Sequence, residues 1–280
     1  MYSNLALKLY AAVCEGIIKS NAMFWKDFSL PEKMQGIKID TQKYETTLKN
    51  ANFDVICCFD EDFPQIKNNI KQSEKPFLFV YRGDINLLKG INKNVAVIGC
   101  LTSDEDIEKR ERKIVAELIK NDTTIVSGLA NGCDTIAHKT CVENGGKTVA
   151  FLPTVLDSIY PYNNIDLANE IVENGGLVIT EYVVKPKSRN GGIRRFIERD
   201  RLQAMFSKAV VLIASFRQGE GDSGSRHAMQ KAKEYGHKRY VMFNEKTDKE
   251  QSIFGLNVQF LENGATLLTQ KTLKGMIDLK

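Results

Sequence analysis

The chain has 280 residues, of which 42% are apolar and 26% charged, and it carries a net charge of +4. That length allows one large core and a smaller accessory unit, and the charge permits a basic face for nucleic acid without requiring one. No apolar run reaches the roughly 18–20 residues that cross a bilayer, and the N-terminus lacks the basic start, apolar core and small-residue cleavage site of a secretory signal, so a cytoplasmic protein with no membrane partner is expected.

The first 50 residues read as mostly helical. Leu5, Leu9, Val13 and Ile17 recur at near-helical spacing, and Pro31 and Gly36 mark breaks. This segment, 1–50, is expected to be a small helical appendage, with 51–280 as the main domain. Phe53-Asp54-Val55-Ile56-Cys57-Cys58 then reads as a strand, and Phe77-Leu78-Phe79-Val80-Tyr81 as another, ending at Arg82-Gly83-Asp84.

A regular alternation follows. Val95-Ala96-Val97-Ile98 predicts a strand, 104–120 a charged amphipathic helix, and Thr124-Ile125-Val126 a strand. Residues 133–144 predict a helix stopped by Gly145-Gly146. Thr148-Val149-Ala150-Phe151-Leu152 predicts a strand, 164–174 a helix and Leu177-Val178-Ile179-Thr180 a strand. A long loop with Pro186, Gly191 and Gly192 is expected next, then a short helix near 197–206. Ala209-Val210-Val211-Leu212-Ile213 reads as a strand, 224–235 as a helix and Arg239-Tyr240-Val241-Met242-Phe243 as the last strong strand. Short apolar β-branched runs between helices imply an α/β fold: a doubly wound, mostly parallel sheet covered on both faces.

Ligands of such sheets bind at the carboxyl ends of the strands, and four polar segments fall there. The first is Gly99-Cys100-Leu101-Thr102-Ser103-Asp104, which lacks the second and third glycines of the dinucleotide fingerprint, so no nicotinamide cofactor is expected. The second runs from Ser127-Gly128 through Gly132 and Asp134 to His138, with backbone N–H groups at a helix start suited to a phosphate. Cys133, His138 and Cys141 spread over some 140° of the helix at ~100° per residue, too wide for one tetrahedral metal ion, so no metal is expected.

The third segment is Arg194-Arg195-Phe196-Ile197-Glu198-Arg199-Asp200-Arg201-Leu202. Its arginines suit phosphate and its phenylalanine suits a base, although Glu198 and Asp200 supply internal partners. The fourth, Gly219-Glu220-Gly221-Asp222-Ser223-Gly224-Ser225-Arg226-His227, again opens a helix but contains no P-loop pattern. The six cysteines form no CxxC pair, and most read as reduced core residues.

Taken in order, the motifs resemble the DprA (Smf) family of DNA-processing proteins. The resemblance begins at Phe63-Pro64 and runs through Pro76-Phe77-Leu78-Phe79, Gly83, Val95-Ala96-Val97-Ile98-Gly99 and Ser127-Gly128-Leu129-Ala130 with Gly132, Asp134 and Ala137-His138. It continues through Leu156-Asp157, Tyr160-Pro161, Asn164, Gly176-Leu177-Val178-Ile179 and Glu181-Tyr182 to Phe196, Arg199 and Arg201. Ser207, Ser223-Gly224-Ser225, Gly255-Leu256-Asn257 and Gly264-Ala265 complete it.

The resemblance implies an extended Rossmann-like domain that binds single-stranded DNA without cutting it, protects incoming strands and helps to load a RecA-type recombinase. It also implies a homodimer. The chain stops soon after Gly264-Ala265, so no C-terminal winged helix is expected. The implied DNA- or phosphate-binding residues are Gly99, Ser127, Gly128, Gly132, Arg194, Arg195, Phe196, Arg199, Arg201, Ser223, Gly224, Ser225 and Arg226.

The chain also departs from the family pattern. Leu101 and Asn131 stand where arginines are usual, Asp200 where the family has asparagine, and Arg226-His227 where apolar residues follow the serines. Two alternatives therefore stay open. One is a sensor that binds a small nucleotide on the same scaffold. The other is a nucleotide phosphoribohydrolase, but Ala228 falls where that enzyme's glutamate belongs, leaving no group to stabilise an oxocarbenium-like transition state.

Overall fold

Neighbouring side chains on a strand face opposite sides of its sheet, so a strand covered on both faces reads as an unbroken apolar run. In the computed structural model, which describes residues 2–279, those runs form the centre of one sheet. Four helices come first: α1 (Asn4–Cys14), α2 (Asn21–Asp27), α3 (Pro31–Gln35) and α4 (Gln42–Ala51). Then β1 (Asp54–Cys57) and β2 (Leu78–Gly83) lead into β3 (Asn94–Ile98), α5 (Glu105–Lys120), β4 (Thr124–Ser127), α6 (Cys133–Glu143) and β5 (Thr148–Phe151). After them come α7 (Ile165–Glu173), β6 (Leu177–Thr180), α8 (Arg189–Met205), β7 (Ala209–Leu212), α9 (Arg226–Glu234) and β8 (Lys238–Val241). The chain finishes with α10 (Glu245–Asp248), α11 (Gly255–Glu262), β9 (Thr266–Leu267) and α12 (Gln270–Ile277).

The sheet has nine strands in the order β1-β2-β6-β5-β4-β3-β7-β8-β9. β1 and β2 pair antiparallel, as do β2 and β6. From β6 to β9 every pairing is parallel. The strand order reverses at β3, which lies between β4 and β7. A crevice therefore opens at the carboxyl ends of β3, β4 and β7, the usual ligand position in open α/β sheets.

Burial follows the two-residue period. Ala96 and Ile98 of β3 pack into one layer with Leu202, Met205 and Phe206 of the α8 end and with Met229 of α9. Val95 and Val97 face the other layer, with Ile107, Val115 and Leu118 of α5 and Ala137 and Cys141 of α6. Phe206 stacks on Phe151, their ring centroids 5.6 Å apart, which fixes α8 against β5.

The N-terminal helices form as the sequence predicts. Leu7, Leu9, Phe24, Met34 and Leu48 share one apolar cluster with Val55, Leu78 and Val80 of the sheet. Phe24 stacks on Phe77 at 4.1 Å, and the Trp25 indole N–H donates to the Lys75 carbonyl at 2.8 Å.

Two differences from the sequence reading matter. First, α8 begins at Arg189 instead of near 197, and Gly191 and Gly192 lie in its first turn. Glycine disfavours helix interiors, but the first-turn N–H groups lack intrahelical partners, and the Ser188 hydroxyl accepts the Gly191 N–H at 3.1 Å. Arg194, Arg195 and Phe196 therefore sit on a rigid helix, not in a loop. Second, the chain past Phe243 adds α11, the edge strand β9 and α12, where the sequence reading ended its strands.

Candidate nucleic-acid cleft

The site is built on α8. Phe196, Arg199, Asp200 and Gln203 recur at helical spacing, so they share one face. That face closes a cavity of about 290 Å³ against the strand ends. The loop after β3 contributes Gly99 and Leu101, the loop after β4 Ala130, Asn131 and the α6 residue Asp134. Tyr160 and Pro161 come from the segment between β5 and α7, and Asp222, Gly224 and Ser225 from the segment between β7 and α9.

Arg199 is 4% exposed. Its Nη1 donates to the Phe151 carbonyl at 3.1 Å and lies 4.0 Å from an Asp134 oxygen. With the Gln203 amide turned to suit its neighbours, the Gln203 oxygen accepts from Arg199 Nη1 at 3.0 Å and from the Gly128 N–H at 3.1 Å. A Cβ on Gly128 would stand 1.3 Å from Arg199 Nη1, so only glycine lets the guanidinium lie there.

The loop amides expected to cradle a phosphate already have partners. Asp134 Oδ2 accepts the N–H groups of Gly128 (3.1 Å) and Ala130 (3.3 Å). Asp222 does the same on the other side, accepting from the N–H groups of Leu101 (2.8 Å) and Gly224 (3.2 Å). Internal carboxylates thus occupy the positions where the sequence suggested a phosphate.

The remaining predicted residues scatter. Ser127 is fully buried and donates to the Val97 carbonyl at 2.7 Å, inside the sheet. Gly132 has φ +71°, and its α-carbon packs against the Cys100 carbonyl, where a Cβ would come within 2.3 Å. Ser225 donates to the Gly99 carbonyl at 2.7 Å, tying two cleft loops together. Arg226 Nη1 donates to the Ser223 carbonyl (3.0 Å) and hydroxyl (2.8 Å).

Arg201 does not line the cleft. It forms a bidentate pair with Glu181, Nη1 to Oε1 at 2.7 Å and Nη2 to Oε2 at 2.6 Å, and also donates to the Glu74 carbonyl. Glu181 in turn accepts from the Asn21 amide at 3.3 Å, so Arg201 anchors α8 beside the N-terminal helices.

Two further arginines of α8, Arg194 and Arg195, lie outside the cavity lining. Arg194 is exposed and pairs with Glu198 at 2.6 Å, a solvated pair that a stronger anion can displace. Arg195 lies 4.3 Å over the Tyr182 ring and donates to the Val184 carbonyl.

The sequence reading placed Phe196 at the site but not the tyrosines that extend it into an aromatic wall. Phe196 meets Tyr160 edge-on at 5.9 Å, and Tyr160 meets Tyr162 at 6.1 Å. Tyr160 is 50% and Tyr162 70% exposed. The available signal was an aromatic–proline–aromatic run just past a strand's carboxyl end.

His138 is a core residue. Its Nδ1 lies 2.7 Å from the Thr148 hydroxyl, and burial lowers its pKa to about 3. Among the described residues no cluster of His, Cys, Asp and Glu has the arrangement of a metal site.

Burial pushes the Asp200 pKa up to about 7; Asp134 and Asp222 add to the rise, while Arg199 and Arg226 oppose it. Asp134 is also raised by burial, against the pull of Arg199.

The DNA recombination-mediator protein A family model matches residues 54–276, and the chain belongs to that family. It is 34% identical over 154 residues to protein Smf of Synechocystis sp., covering 55% of this chain and 38% of that protein. It is 40% identical over 109 residues to DNA processing protein DprA of Streptococcus pneumoniae, covering 39% of this chain and 37% of that protein. The chain thus spans under two fifths of the length of either relative.

The fold matches the X-ray structure of S. pneumoniae DprA with a TM-score of 0.71 at 25% identity, over 99% of this chain and 92% of that one. A Helicobacter pylori DprA structure, described as giving insight into a single-stranded DNA binding mode, matches with a TM-score of 0.64 at 25% identity, over 81% and 94% of the two chains.

Two predictions follow from this geometry. Asp200, protonated in the folded state up to about pH 7, ionises near 3.8 when unfolded, so its contribution to stability falls as pH rises between those values. Asp200→Asn should therefore gain about 2–3 kcal/mol more stability at pH 8 than at pH 5, read by urea denaturation; an equal effect at both pH values would contradict the assignment. Arg201→Ala should cost about 3–5 kcal/mol, because the buried Glu181 carboxylate loses its cation and keeps only the Asn21 amide, and a cost under about 1 kcal/mol would contradict that role.

Proposed function

We propose that this chain binds single-stranded DNA along the α8 cleft, without cutting it, and so protects strands and presents them to a RecA-type recombinase. The observation that carries the reading is the aromatic wall of Tyr160, Tyr162 and Phe196 at the cleft, with arginines on the same helix as Phe196. Tyr160, Tyr162 and Phe196 offer faces and edges on which bases stack. Arg194 and Arg195, in the turn of α8 that leads to Phe196, would supply contacts to the phosphate backbone.

Family membership and the H. pylori structure support this reading. A second copy of the chain and the recombinase are the protein partners that go with it. The main domain (51–280) would hold the strand, and the helices of 1–50 would brace α8 through Glu181.

Asp134 and Asp222 are committed to loop amides, and Ala228 stands where a phosphoribohydrolase would need a carboxylate. One observation favours a small-nucleotide ligand as a second reading: the interior holds three carboxylates and only one arginine, which suits a single nucleotide better than a row of phosphates.

Fluorescence anisotropy with labelled oligo-dT of 10 and 30 nucleotides separates the two readings. DNA binding predicts tighter binding of the longer strand and a steep loss with salt. The Arg194→Ala/Arg195→Ala double variant should weaken binding several-fold and reduce the log–log salt slope by about 1.4, at roughly 0.7 per phosphate contact. Length-independent binding, or a slope unchanged in the double variant, would contradict the proposed path.

A further inference from the structure

Among the described residues three carboxylates line the cleft, and only two of them have hydrogen-bond donors. Asp134 and Asp222 are each held by two backbone N–H groups. Asp200 receives no hydrogen bond from any described residue. Its Oδ1 lies 3.2 Å from Arg199 Nε, within ion-pair distance but without hydrogen-bond geometry, and that buried Nε likewise lacks an acceptor. An unmet acceptor and an unmet donor thus lie side by side in a cavity wall, in side chains that are 12% and 5% exposed. Leaving such groups unmatched is costly, so a ligand that matches them is favoured.

The rest of the cavity defines the shape of that ligand. Phe196, one helical turn before Asp200 on the same face of α8, and Tyr160 form an aromatic side suited to a flat ring. A volume of about 290 Å³ holds one base with its sugar, not a stack. The ring must present N–H donors to a carboxylate.

Guanine does so with two adjacent donors, N1–H and N2–H, and its O6 acceptor lies beside them on the same edge. Thymine offers a single N–H flanked by two carbonyl oxygens, one of which would face the second carboxylate oxygen. Adenine and cytosine each supply one exocyclic amine.

We propose that this cleft selects guanine, with the Asp200 carboxylate accepting the base's N1–H and N2–H while the ring stacks against Phe196 and Tyr160. The inference rests on reading the cleft as the nucleic-acid site, and it assigns the inner wall to a base. Burial beside Asp134 and Asp222 disfavours the free carboxylate, so paired N–H donors gain from relieving that penalty.

The test compares short labelled strands: (dT)10, the same strand with one central dG, and the same strand with one central deoxyinosine, which lacks the N2 amine. Guanosine monophosphate alone is the competitor. The proposal predicts about ten-fold tighter binding of the dG strand than of (dT)10, as a bidentate base contact gives. Deoxyinosine should lose most of that gain, and Asp200→Asn should erase it. The deoxyinosine arm uses the unaltered protein, so the test does not depend on the variant's folding.

Equal affinity for dG and dT strands, or a preference that survives Asp200→Asn, overturns the inference and leaves the DNA reading standing. Binding of guanosine monophosphate without binding of any strand overturns the DNA reading and keeps the base pocket. Failure of every ligand to bind overturns both.

Discussion

One buried cation organises this molecule. The Arg199 guanidinium sits between α8 and the carboxyl ends of β4 and β5, against the Gly128 backbone, the Phe151 carbonyl, Gln203 and Asp134. A charge that deep needs close partners, because its desolvation is otherwise uncompensated. Asp134 supplies the opposite charge, and the same carboxylate collects the N–H groups of the β4 loop. The contact that fixes α8 on the sheet therefore also removes the obvious phosphate cradle. A larger residue at 128 would force the guanidinium out and undo both effects.

The character of the cleft follows from this. Its floor is closed by internal pairs, and Asp200, next to Arg199 in the chain, is left facing the cavity with no donor of its own. Positive charge moves outward to Arg194 and Arg195, one to two turns nearer the start of α8. In the function proposed above, a strand lies with its phosphates outside and one base inside. Backbone contacts then supply salt-sensitive affinity and the inner wall supplies discrimination.

Much of the fold was legible because burial on both faces leaves an unmistakable apolar run. The strands at Val95-Ala96-Val97-Ile98 and Ala209-Val210-Val211-Leu212 are such runs, and they form the sheet's centre. The start of α8 was hidden because Gly191-Gly192 reads as a loop, and only the Ser188 cap shows why it is not.

Within the site, the loops were legible as strand ends followed by glycine and a capping acid. The partners of those loops were not. Asp222 reaches the Leu101 amide across 121 positions, and Arg201 finds Glu181 through a fold that the local sequence does not encode. An arginine beside an aromatic reads alike whether it faces a phosphate or a buried glutamate.

The central claim is that a single strand occupies the α8 cleft with a base against its aromatic wall. Photo-cross-linking tests it most directly: an oligo-dT carrying 5-bromodeoxyuridine is irradiated on the protein, and the adducts are located by mass spectrometry. The account predicts adducts at Tyr160, Tyr162 or Phe196, with little elsewhere. Adducts confined to the N-terminal helices, to α12 or to the opposite end of the sheet would contradict it.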